Sequence, residues 1–402
     1  MSAREWLRVP VGRDADRWRT AATRRTVLAV VHTMATAGHV LDAAELVESD
    51  TRVQTVFTQA PDLFGGGVAA HLRDLGAVVV PWRQAVQTRF DLVLTGDCAG
   101  VHELAGPVAM LAHGIANNKL APAALGGPAS GQVVGLAAPW LTWYGRLVPA
   151  LVALSHADVL PVLARQCPQA VPVAAVTGDL CLDRLRAARP GREAYRRALG
   201  VEPGQTVVAV SSTWGADSLL GSHWRTLFDL LAQLPPDRYA VRLAAHPAVY
   251  WGHGPRQVRG WLRREQHPGL RVVHPSSWRG LVAAADVLIG DHGSATTYAA
   301  AAGVPVLRAV APPGATAPGS PTELLARLAP VLTPHRRLSD QLDQARSASL
   351  APDYPAVARA VTSEPGRAAR LLRARLYHLM ALAEPDGDAP AVPLPAPLLA
   401  DG

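Results

Sequence analysis

Cysteine is scarce in this chain: Cys98, Cys167 and Cys181 are the only ones in 402 residues, and no two form a CxxC pair. An odd, widely spaced set excludes a disulfide scaffold and points to a reduced, cytosolic setting. Aromatic residues are also few, 5% of the chain against 49% apolar residues in all. Burial therefore falls to Ala, Val and Leu, a composition suited to helices packed on Val-rich parallel strands. No uninterrupted apolar run is long enough to span a bilayer, since the longest tract, 133–164, is broken by Pro139, Arg146, Pro149, His156, Asp158 and Pro161. Its front part, Pro139 to Arg146, reads either as a buried packing loop or as an interfacial aromatic loop. Residues 1–25 are basic without an apolar core, so no signal peptide is expected.

Several chemical signatures are missing as well. GxGxxG is absent, and Gly65-Gly66-Gly67 follows the wrong element for a dinucleotide fingerprint. GxSxG is absent, which removes a nucleophile-elbow serine hydrolase. Neither HExxH nor paired-cysteine spacing occurs, and Asp386-Gly387-Asp388 lies in the tail, so neither a metal nor a resident cofactor is expected. The excess of 39 Lys+Arg over 32 Asp+Glu gives a net charge of +7. This charge is scattered, without the dense stripe and interleaved aromatics of a nucleic-acid interface. Phosphate-bearing small molecules fit it better, as does a peripheral contact with an anionic membrane surface; nucleic acid is not an expected partner.

What is present is alternation. Residues 26–34 read as a strand and Gly38 to Val47 as a helix. A strand over 52–59 follows, then a helix opened by Phe64-Gly65-Gly66-Gly67 and running to Leu75. Further strands are expected over 77–82, 90–96 and 108–114, with another inside 147–160. After a Pro-rich, basic passage from Val173 to Arg192, closed by the amphipathic helix 191–200, the pattern restarts with strands at 205–215, 239–247 and 270–275. Strands alternating with helices predict parallel sheets covered on both faces. The expected domains are residues 1–185 and 186–384, the second including terminal helices, with 385–402 as a mobile tail.

The most informative stretch runs from Ala285 to Tyr298. An apolar strand breaks at Asp291-His292-Gly293-Ser294 and restarts as a helix, Gly293 and Ser294 supplying close backbone approach and an N-cap. Such a helix start offers N–H groups and a positive dipole end to an anion, or is an ordinary crossover turn. Gly303 stands where a helix end wants a left-handed residue, and Pro305 opens the next strand.

Two Rossmann-like halves facing each other across a cleft, with C-terminal helices, make the α/β architecture called GT-B. Within it, the chain resembles the CDP-glycerol glycerophosphotransferase family, makers of teichoic-acid-like polymers. The resemblance rests on His113-Gly114, Thr177 to Asp183, Ser211-Ser212-Thr213-Trp214, Arg242 to Pro247 and Asp286 to Ser294, in that order. It departs where the family has an aromatic residue and paired serines after the aspartate, and where Leu180-Cys181 replaces a proline-arginine pair. The resemblance implies an acceptor-side first domain and a nucleotide-donor second domain.

On this reading the candidate catalytic residues are His113, as base for the attacking hydroxyl, Asp97, as its orienter or as the base itself, and His246, as donor to a phosphate oxygen. The candidate donor site comprises Thr213, Trp214, His246, Asp291, His292, Gly293, Ser294, Ala295 and Thr296. Each has a plainer reading: His113 a loop histidine, Asp97 a turn residue, His246 a cap before Pro247, Trp214 a wall of the core. The turn from His32 to His39 is a further candidate for the acceptor side, and His274 for the nucleotide. The expected activity is metal-independent transfer of a glycerol-phosphate or glycosyl unit from a nucleotide-diphosphate donor to a hydroxyl on a glycan, polyol or small molecule. The alternatives are a UDP- or TDP-sugar glycosyltransferase, a nucleotide-sugar epimerase or hydrolase, and a noncatalytic nucleotide- or glycan-binding relative.

Overall fold

The computed structural model describes residues 6–112, 114–115, 117–121, 131–265, 268–309, 316–389 and 391–400. The chain divides into two compact units: Met1–Asn117, Ala123–Cys181 and Ser363–Ala391 form the first, and Asn118–Pro122, Leu182–Thr362 and Val392–Gly402 the second.

The first unit is built on a parallel sheet of β1 (Arg25–Val31), β2 (Val53–Gln59), β3 (Leu92–Thr95), β4 (Val108–Met110), β7 (Leu151–Leu154) and β8 (Ala174–Val176), in spatial order β2-β1-β3-β4-β7-β8. A two-stranded antiparallel ladder, β5 (Thr142–Trp143) with β6 (Arg146–Leu147), stands beside it in sequence. Along β1 the residues Val27 to Val31 are all buried, the mark of a strand covered on both faces rather than one. The following helix runs over Met34–Glu48, four residues earlier at its start than Gly38, because Thr33 and Thr36 form a reciprocal capping box. The strand expected over 77–82 reduces to an isolated bridge of Val79 with Phe57. Pro81, which has no N–H, ends the pairing there. Conversely, β8 lies inside the Pro-rich, basic passage, where the pattern predicts no strand.

The second unit repeats the plan with β9 (Thr206–Ser212), β10 (Tyr239–Ala245), β11 (Leu270–Val272), β12 (Val287–Gly290) and β13 (Val306–Arg308), all parallel and ordered β11-β10-β9-β12-β13. Its core is Val, Leu and Ala from these strands with Leu227, Phe228 and Leu231 from the helix Leu219–Leu231. Just before β12, Asp286 accepts from Arg192, Arg196 and the Val207 N–H, each at 2.8 Å. Burial pushes that carboxyl up, but the N–H and the two guanidiniums outweigh it and hold it below the usual carboxylate range.

Two expectations about the end of the chain need correction. The helix Ala368–Leu379 packs with the first unit, not the second: Leu372, Leu376 and Tyr377 enter the core beneath β1 and β2, and the Tyr377 hydroxyl donates to Asp50 at 2.9 Å. Apolar burial against the nearer sheet overrides sequence order. The tail expected to be mobile is tied down over residues 394–400. Leu394 O accepts from the Tyr195 hydroxyl at 2.6 Å, Ala400 N–H donates to Val272 O, and Pro397 closes over Gly280 so tightly that a Cβ there would meet it at 2.9 Å. Among the described residues no helix is long and apolar enough to cross a membrane.

Candidate functional site

The strand β12 ends at Gly290 and the helix Ser294–Ala301 begins after Gly293. Between them Asp291 is buried, 1% exposed. One carboxylate oxygen accepts from the Thr213 N–H and hydroxyl, both at 2.8 Å, and from the Leu219 N–H at 2.9 Å. The other accepts from the Gly293 N–H at 3.1 Å. Asp291 is thus the pin that fastens the loop after β9 to the turn after β12, its lone pairs taken up by the protein itself.

The N-cap of that helix is Gly293, with no side-chain cap, and Ser294 is the first helical residue rather than the cap. A Cβ on Gly293 would stand 2.5 Å from Thr213 Cγ2, so only glycine allows the loop and the helix start to meet. Ser294 and Ala295 lie partly open to solvent at the positive end of the helix. Thr296 is turned inward: its hydroxyl is buried without a hydrogen-bond partner and faces Gly290, where a Cβ would come within 2.3 Å of it. At the helix C-terminus Gly303 adopts φ +81°, the left-handed residue expected there.

His292 is half-buried, and its Nδ1 is buried without a hydrogen-bond partner. Burial holds this imidazole below its ordinary value, and the Lys119 charge pushes the same way, against Asp291 and Asp217. Lys119 was not foreseen. It lies on the segment of the second unit that pairs with Thr316, next to Asn118, whose amide donates to Thr322 at 2.9 Å. Thr322 in turn shares a 2.9 Å hydrogen bond with Thr297 of the helix. The Lys119 ammonium is pushed down by burial and pushed back up by Asp291. It makes no hydrogen bond or ion pair with a described residue. The signal that would have found it is its singularity, because Lys119 is the only lysine in the sequence.

His246 caps the helix Pro247–His253, its Nδ1 accepting the Ala248 N–H at 3.1 Å. In the neutral ring this places the proton on Nε2. His274 repeats the device before Pro275, with Nδ1 bonded to Ser276 Oγ at 2.7 Å, and burial holds it below its ordinary value. Trp214 follows β9 and is 49% exposed, so it is not a wall of the core.

In the first unit, Asp97 follows β3 and accepts from the Cys98 N–H at 2.7 Å and the Ala99 N–H at 3.4 Å, an aspartate turn. Burial, then the Asp97 charge, pushes the Cys98 thiol up to about 12, which makes it inert as a nucleophile. His32 is fully buried, donating from Nε2 to Ala99 O at 2.7 Å, with Nδ1 lacking a partner. His113 lies outside the described residues. Among the described residues no three His, Cys, Asp or Glu side chains are grouped to hold a metal ion.

No protein-family model matches the chain. No curated protein matches it either. Solved structures do. A variant of the wall teichoic acid polymerase TagF is similar at a TM-score of 0.62 and 12% identity, over 89% of this chain and 89% of that one. A second variant soaked with CDPG gives 0.61 and 11% over the same shares of each chain. MnaA of S. aureus with UDP gives 0.52 and 10%, over 90% of this chain and 99% of that one. The likeness is one of fold, and the fold is GT-B.

Proposed function

We propose that the second unit binds a nucleotide diphosphate at the corner made by Gly293, Ser294, Ala295, His292 and Lys119, and that the protein transfers a glycerol-phosphate or glycosyl unit from such a donor to a hydroxyl acceptor. The observation that carries this reading is the sole lysine of the chain, half-buried and in no ion pair with a described residue, beside an uncapped helix start. A cation held out of water with no partner is costly unless a ligand neutralises it. A diphosphate does so. The solved neighbours soaked with CDPG or holding UDP support the same ligand class.

In the transfer, negative charge builds on the departing diphosphate. Backbone N–H groups at the helix start meet it with fixed dipoles that need no reorganisation, and Lys119 adds a point charge. His246, its Nδ1 engaged by Ala248, offers the Nε2 proton to a phosphate oxygen. Thr213 and Asp291 act on the site through position, since the Thr213 hydroxyl is spent on Asp291. Trp214, exposed after β9, is the candidate to stack on a nucleobase. On the acceptor side the hydroxyl needs a base. With Asp97 engaged in its turn, that task falls to His113.

Thermal shifts with CDP, UDP, GDP and TDP separately test the reading. A ligand at roughly 100 times its Kd adds about 2.7 kcal/mol of apparent stability. The expected result is a rise with a pyrimidine diphosphate that disappears in Lys119→Ala. CDP preference favours a glycerol-phosphate donor, and UDP or TDP preference a sugar donor. No shift with any of the four, or a shift that survives Lys119→Ala, would refute the site. Retained nucleotide binding without turnover would identify a noncatalytic binder.

A further inference from the structure

A second concave site lies in the same unit, lined by none of the residues given to the donor. The helix Leu219–Leu231 and the helix Pro255–Arg264 border a groove of about 960 Å³. This is at the upper end of small-molecule pocket sizes. Its walls carry two indoles at 84° to one another, with ring centres 6.4 Å apart, from Trp224 and Trp261. The Trp224 N–H is spent on Glu265 at 2.6 Å, which fixes that ring and holds the Glu265 carboxylate, still charged, at the rim. His253 stands edge-on to Trp261 at 5.0 Å, leaving Trp261 36% exposed toward the groove.

Around these rings the lining charges balance, and the positive excess lies along the helix Pro255–Arg264. Arg225 and Arg264 line the groove together with Asp229 and with Glu265, which accepts the Trp224 N–H. The helix Pro255–Arg264 contains four arginines and no acid, and all four are exposed. Among the described residues neither Arg225 nor Arg264, nor their exposed neighbours Arg256 and Arg259, makes an ion pair. Aromatic faces suit the C–H faces of sugar rings, and guanidinium forks suit carboxylate or phosphate oxygens bidentately. Asp229 is left to accept hydroxyls. We infer that this groove binds an anionic glycan chain, its rings against Trp261 and its acidic groups on Arg225 and Arg264. A flat bilayer fits worse, because the indoles are recessed in a concavity instead of projecting. The inference goes beyond the donor reading and does not depend on it.

Calorimetry on the full chain with tetragalacturonate and, as its uncharged counterpart, maltotetraose tests this. Tetragalacturonate is expected to bind with an affinity that falls as salt rises, and maltotetraose about tenfold more weakly or not at all. Trp261→Ala and Arg264→Gln should each weaken tetragalacturonate about tenfold with an unchanged melting temperature and an unchanged nucleotide-diphosphate shift. Arg264 is exposed, so its variant folds even where Trp261→Ala loosens the helix pair. Four results would overturn the inference: no binding of either saccharide, equal binding of both, affinity retained in both variants, or Trp261-dependent binding only to equal-part phosphatidylcholine and phosphatidylglycerol vesicles or to an oligothymidylate.

Discussion

The turns after β3 and after β12 occupy corresponding places in the two sheets, each strand lying next to the first strand of its unit, and each turn carries Gly-Asp. Their chemistry differs. Asp97 is half-buried and accepts from the two residues that follow it. Asp291 is buried and accepts from residues more than 70 positions away. The first is a local turn device; the second welds two loops. Because Asp291 is satisfied within the protein, the neighbouring Lys119 is left with a charge that no described side chain pairs. A strand-end aspartate is therefore no guide to a ligand by itself, and what matters is whether the groups beside it remain unpaired.

The sharpest way to break this comparison is to remove both carboxylates. Asp291→Ala strands the N–H groups of Thr213, Leu219 and Gly293, and buried donors left unmade cost about 1–3 kcal/mol each. A loss of about 4 kcal/mol in urea unfolding is expected, against about 1 kcal/mol for Asp97→Ala, a partly open cap. Equal losses would show that the two turns are alike.

Lys119→Met should weaken nucleotide-diphosphate binding by about tenfold to a hundredfold, the worth of one charge-assisted contact. The fold should be no less stable, because a buried cation is removed. The pH dependence carries the same sign. Burial lowers the Lys119 ammonium below 10.5 in the folded chain. Between that lowered value and 10.5 the unfolded chain holds more protons, so stability rises with pH there, and Lys119→Met should abolish this share of the rise. A smaller effect is expected at His292, held below 6.5 in the fold. Its share of stability is complete above 6.5 and declines as acid protonates the unfolded ring first. His292→Gln should flatten that acid limb in melting curves between pH 5 and 7, while His274 leaves a remnant.

Much of the architecture was legible in the chain because apolar periodicity and turn residues act locally. The β1, β9, β10 and β12 strands, the start of a helix after Gly293 and its end before Gly303 all follow from adjacent residues. The misjudged places have local reasons too: a Thr33–Thr36 capping box outranked Gly38, and Pro81 cut short a strand that its valines favoured. Less of the candidate site was legible. Gly293, His292 and His246 stood out by position, but Lys119 did not, since nothing in its neighbours shows that residues 118–122 join the second unit.

Sequence alone thus determined which segments become strands and helices, and that parallel sheets result, since burial of alternating apolar stretches needs only near neighbours to be specified. Tertiary structure alone decided that Asp291 accepts from donors of the protein itself, that the terminal helix belongs to the first sheet, and that the single lysine comes to rest beside a helix start. Each of those outcomes depends on which distant donors, acceptors and charges arrive at the same few ångströms, and a linear pattern does not encode that meeting.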